Sequence, residues 1–205
     1  MGEQNVSPNT DVDQRRAFMK ALLNEVRAME LMLNKGLFES DLRRIGAEQE
    51  MFLTDRAYRP ALTALKVLDR IEDPRFTHEL GLFNMEANLS PIELGGDCLR
   101  KLEDETNEVI AIAREHAEQV DTKIALVGIL PTLTREQLSL DAIVPKARYY
   151  ALNDALKHLR GSDFKISIKG IDQLDFQHDN LMLEACNTSF QVHFQVGPEE
   201  FASLY

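Results

Sequence analysis

The sequence is poor in several features that define large classes of protein. It has only two cysteines, Cys98 and Cys186, in 205 residues. That excludes a disulfide-stapled framework and suits a reducing compartment. No apolar run approaches the roughly 20 residues that a membrane-crossing helix needs. Met1 to Asp13 is polar and lacks the apolar core of a secretory signal. Basic residues are in deficit, with 23 Lys and Arg against 34 Asp and Glu, for a net charge of −11. Nucleic acids and anionic membranes select basic surfaces, so neither is an expected partner. No Gly-x-x-x-x-Gly-Lys-Ser/Thr loop and no Gly-x-Gly-x-x-Gly is present, and no Cys–His or Ser–His pairing marks a nucleophile. What remains is a composition of 44% hydrophobic and 28% charged residues, that of an acidic globule expected in the cytoplasm.

Residues 1–12 show no periodicity and read as a flexible leader, with a single domain expected over 13–205. From Asp13, Phe18, Leu22, Val26, Met29 and Leu33 recur at helical steps, and Gly36 is a natural stop. Further helices are predicted over Arg59–Ile71, with Pro60 in the first turn, over Leu99–Val120 and over Ala147–Leu159. Strands are predicted over Ile45–Leu53, Arg75–Leu80, Leu82–Leu89, Lys123–Leu130 and Phe164–Lys169. Leu181–Val196 reads as a long strand-like run interrupted at Asn187 and Thr188. Helices and strands alternate without a βαβ rhythm, so the expected class is α+β with a mainly antiparallel sheet.

Three of the strands carry polar stripes. Residues two apart in a strand share a face, so Glu48 and Glu50 lie side by side. Adjacent carboxylates repel and are costly to desolvate, and a divalent cation is the most direct compensation. Asn84, Glu86, Asn88 and Ser90 form a second stripe, opposite Phe83, Met85, Ala87 and Leu89. Ser189, Gln191, His193 and Gln195 form a third, alternating with Phe190, Val192, Phe194 and Val196. A neutral imidazole among amides can ligate a metal or donate to a phosphate oxygen. If the three strands neighbour one another, Glu48, Glu50, Glu86, Gln191 and His193 converge on one polar surface. Such a surface could hold divalent metals and a polyphosphate.

The segments Gly46-Ala47-Glu48-Gln49-Glu50, Asn84-Met85-Glu86-Ala87-Asn88, Gly128-Ile129-Leu130-Pro131, Pro145-Lys146-Ala147-Arg148-Tyr149 and Gln191-Val192-His193 follow one another in this order. The order resembles the glutamate–cysteine ligase superfamily, particularly the group-2 ligases and the related carboxylate–amine ligases. The resemblance implies a curved, mainly antiparallel sheet flanked by helices, similar in fold to glutamine synthetase. It also implies an ATP- and Mg²⁺-dependent ligase, with Mn²⁺ a possible substitute. Such an enzyme joins the side-chain carboxylate of glutamate to the amine of cysteine, or of a related amine, through an acyl phosphate. By position, Glu48, Glu50 and Glu86 would be metal ligands, Glu50 being also catalytic, and His193 a further ligand or phosphate contact. Gln191 would line the nucleotide or substrate pocket. Arg148 would be a catalytic substrate contact or a structural one. Family catalytic units are longer than this chain, so it is expected to be an N-terminal portion, inactive alone. The alternative expectation is a non-catalytic binding or regulatory module that keeps the fold.

Overall fold

The structure, a computed structural model, describes residues 12–205. The expected leader therefore lies outside the described residues up to residue 11, and Val12 already opens the first helix.

Strand β1 (Arg44–Thr54) organises the molecule. On one flank it pairs with β3 (Asn84–Asn88) along 48–52 and with β4 (Ile92–Glu93) along 44–45. The other flank takes β8 (Phe190–Phe194) along 45–49 and β5 (Lys123–Ala125) along 52–54. β2 (Phe76–His78) adds to the outer edge of β3, and every pairing in this six-stranded sheet is antiparallel. The α+β expectation therefore stands.

Alternation along β1 gives the sheet two different faces. Ile45, Ala47, Met51 and Leu53, with Met85 and Ala87 of β3, are buried against α3 (Cys98–Glu118). From α3, Leu102, Val109, Ala113 and Ala117 complete that core at helical spacing. The short α2 (Ala64–Leu68) adds Ala64 and Val67. Arg75, just before β2, clamps the layers together. It pairs with Asp73 at 2.7 Å and with Glu105 and Glu108 of α3 at 3.2 and 2.8 Å. Glu105 also accepts hydrogen bonds from the Ser90 backbone N–H and hydroxyl. A second core covers one end of the opposite face, where Phe52 meets Leu80, Phe83, Ile143, Val144, Met182 and Ala185. That core contains Tyr149 of α4 (Ala147–Arg160). α4 ends at Gly161, whose φ of +69° is the left-handed cap that glycine adopts without a Cβ clash.

Several predicted elements differ. The helix expected over Arg59–Ile71 is confined to Ala64–Leu68. Asp55 Oδ1 accepts from the N–H groups of Ala57 and Arg59 and closes a turn. Pro60 then bridges back to Thr54 instead of starting a helix. The strand expected over Lys123–Leu130 stops at Ala125, and Ile129 makes only an isolated bridge to Asn187. The run Leu181–Val196 divides into a 3₁₀ segment, Leu181–Cys186, and β8. β6 (Phe164–Lys169) pairs with a strand the sequence reading left out, β7 (Gln173–His178), in a separate hairpin. α1 (Val12–Asn34) is a helix as predicted, yet none of its residues is buried. A short C-terminal helix, α5 (Pro198–Leu204), follows β8.

Candidate metal centre

The strand register converts the three polar stripes into one surface. Glu50 stands directly opposite Glu86, and Glu48 opposite Asn88 on one flank and Gln191 on the other. His193 is opposite Gly46. The same face therefore carries Glu48, Glu50, Glu86, Gln191 and His193, as the alternation predicts.

A further carboxylate completes the group. Glu79 follows β2 directly, two residues beyond Thr77, which is paired with Glu86. Glu50, Glu79 and Glu86 each offer an oxygen within 4.8 Å of the others, and all three are half-buried. Like charges opposed across a sheet are destabilising, and among the described residues no Lys or Arg forms an ion pair with any of them. Neutral donors hold two of them in place. Glu50 accepts from the Ser189 N–H at 2.7 Å and from Gln191 Nε2 at 2.8 Å, and Glu86 accepts from Asn88 Nδ2 at 2.5 Å. Burial pushes the Glu79 carboxyl up to about 8, reinforced by a hydrogen bond to Glu86 and by the charges of Glu86 and Glu50.

Glu48 and His193 stand beside this trio rather than in it. His193 Nε2 lies 3.6 Å from Glu48 Oε2, with the imidazole more exposed than the carboxylate. Gln191 is tied to Glu50 by its amide, so its clearest action is to orient that carboxylate. Arg148, in the first turn of α4, lies over the Tyr149 ring at 5.2 Å. The Tyr149 hydroxyl is 3.1 Å from His78 Nδ1, and the two rings meet edge to face. Burial lowers the basicity of His78, and the charges of Lys146 and Arg148 add to that effect. Burial also raises the Tyr149 hydroxyl, as does the charge of Glu79. The Arg148 charge thus acts on His78 and Tyr149 rather than on the carboxylate trio.

Glu79 is the residue that sequence reasoning missed. Its signal is the two-residue step from Thr77, but the strand ends at His78, and only the pairing of β2 with β3 shows which carboxylate it meets. A cleft of about 170 Å³ opens beside Glu50 and Glu79 and is lined also by Asn84, Glu184 and Gln191. A larger hollow of about 430 Å³, lined by Phe194, Phe201 and Tyr205, holds none of these carboxylates and does not bear on this chemistry.

Oxygen-only donors on three adjacent segments suit a hard divalent cation, which prefers carboxylate ligands and neutralises their repulsion. The residues therefore fit the metal that the resemblance implies. No helix among the described residues is long and apolar enough to cross a membrane. No curated protein and no solved structure matches the chain. Residues 44–202 match the family model described as Glutamate-cysteine ligase family 2 (GCS2), and that span contains β1 through β8 and every carboxylate of the site. The chain belongs to the glutamate–cysteine ligase family 2.

Proposed function

We propose that the chain supplies the metal-binding sheet of an ATP-dependent ligase joining the side-chain carboxylate of glutamate to the amine of cysteine or a related small amine. Family membership implies a ligase-type enzyme acting on small molecules. The observation that carries the finer reading is the convergence of Glu50, Glu79 and Glu86 with no basic partner among the described residues. Glu50 and Glu86 would hold Mg²⁺ or Mn²⁺ from facing strands, and Glu79 would join them on losing its proton. When bound, the ion supplies charge neutralisation at the polyphosphate, the main requirement of phosphoryl transfer.

The chain's own groups then have distinct tasks. Ser189 N–H and Gln191 fix the rotamer of Glu50, so its oxygens are set before a ligand arrives. His193, exposed beside Glu48, offers a ring nitrogen to a phosphate oxygen or to a second ion. Arg148, beside Tyr149, would offer its charge to a substrate carboxylate. We further infer a glutamine-synthetase-like sheet, one domain over 13–205, and a cytoplasmic location, in keeping with two free cysteines.

Calorimetric titration of Mg²⁺·ATP tests the reading. Wild-type chain is expected to bind, and Glu50→Ala to abolish the signal while retaining the folded circular dichroism spectrum. Nucleotide binding that survives Glu50→Ala, or is absent from both, refutes it.

A further inference from the structure

The cleft beside the carboxylate trio has a feature that the metal does not explain. Asn84 lines it and is only 2% exposed. Its Nδ2 donates to the Ala185 carbonyl at 2.8 Å, which fixes the amide orientation and leaves Oδ1 as the spare group. That oxygen is buried and has no hydrogen-bond partner among the described residues. A buried acceptor left unpaired is costly, and natural structures rarely leave one without a protein, water or ligand donor. Carboxyl groups of Glu50, Glu79 and Glu184 border the cleft together with Asn187, Ser189 and Gln191, and no Lys or Arg does. Three carboxyl groups without a cation favour a positively charged occupant over an anion.

Two observations select the kind of cation. The cleft volume of about 170 Å³ far exceeds the roughly 30 Å³ share of one water molecule, so it has room for several heavy atoms. Leu80 and Ala185 contribute apolar wall, suited to carbon rather than to a hydration shell. An alkylammonium carries three N–H donors on a carbon stem, and it meets both the acceptors and the apolar wall. We propose that this cleft seats the ammonium group of the amine co-substrate, held by the Asn84 side-chain oxygen and the Glu184 carboxylate. The assignment rests on the ligase reading, because it places the incoming amine against the side of the trio formed by Glu50 and Glu79. It makes Glu184 and Asn84 binding residues for the acceptor. Selection among acceptors then falls to whatever lies beyond the ammonium.

The test is a titration of the ¹⁵N-labelled full chain with ethylammonium chloride at saturating Mg²⁺, followed by ¹H–¹⁵N spectra. The expected result is saturable binding that shifts the Asn84 side-chain amide and the Ser189 amide. Glu184→Gln is expected to weaken it about tenfold, the loss of one charge-assisted hydrogen bond. Mg²⁺ affinity should stay within about twofold in that variant, because Glu184 is outside the trio. Tetramethylammonium, which has no N–H, should not saturate. The proposal is overturned if ethylammonium does not saturate, if tetramethylammonium binds as well, or if Glu184→Gln leaves its affinity unchanged. Displacement of ethylammonium by Mg²⁺ also overturns it, since the cleft would then be a second ion site. Failure of the ligase reading is seen separately, as loss of Mg²⁺·ATP binding in the calorimeter.

Discussion

The two faces of β1 are built from the same eleven residues under opposite constraints. On one, Ile45, Ala47, Met51 and Leu53 are sealed against α3. On the other, Glu50 stands beside Glu86 and Glu79 with no Lys or Arg paired to them among the described residues, and Glu48 has only the His193 imidazole beside it. The apolar face gains free energy by leaving water, and the acidic face loses it through desolvation and mutual repulsion. The buried face thus stabilises a sheet whose other face carries clustered carboxyl groups. Substitutions on the two faces should accordingly have opposite signatures.

The largest effect is expected on the sealed face. Met51→Ala removes a fully buried side chain and should cost about 2–5 kcal/mol, read as a lower urea midpoint. Arg75→Met comes next. It leaves Asp73, Glu105 and Glu108 without their shared cation and should cost roughly 1–3 kcal/mol, because the cluster is part-buried rather than fully enclosed.

The acidic face should show itself through pH. Burial and the neighbouring Glu86 and Glu50 push the Glu79 carboxyl up to about 8 in the folded chain, above its ordinary value of 4.5. Between these values the folded chain binds more protons than the unfolded one, so stability falls as pH rises. The contribution is complete below about pH 4.5 and is lost as pH passes 8. Thermal melts of metal-free protein from pH 5 to 9 should therefore show a decline that Glu79→Gln flattens. Saturating Mg²⁺ should oppose the same decline, since the ion favours the ionised carboxylate. The smallest effect is expected for Glu50→Gln without metal. Its stability should stay within about 0.5 kcal/mol of wild type in urea titration, because the charge lost is one that repels.

What the sequence made legible follows the same division. Strict alternation in β1, β3 and β8 was enough to put Glu48, Glu50, Glu86, Gln191 and His193 on one face, because a strand's period of two is fixed by its backbone. Glu79 was not legible. It lies past the end of β2, and its neighbours are set by pairing between strands, which no single segment encodes. Pro60 misled for a local reason, since proline suits a first helical turn and a strand-end bridge equally well. The hairpin partner β7 does carry a signal in the alternation of Leu174 and Phe176 with Gln173, Asp175 and Gln177. Its charged and amide residues weaken that signal, because both strands of the hairpin are largely exposed. α1 shows the converse, a helical pattern read correctly whose apolar stripe finds no burial among the described residues.

The central claim is that Glu50, Glu79 and Glu86 hold one divalent cation between adjacent strands. Its most direct test is Mn²⁺ titration of the chain at pH 8, followed by electron paramagnetic resonance of the free ion. The predicted result is a saturable site weakened at least tenfold by each of Glu50→Gln, Glu79→Gln and Glu86→Gln, and left largely intact by Glu93→Gln on β4. Equal Mn²⁺ uptake by the wild type and all three variants would contradict the account.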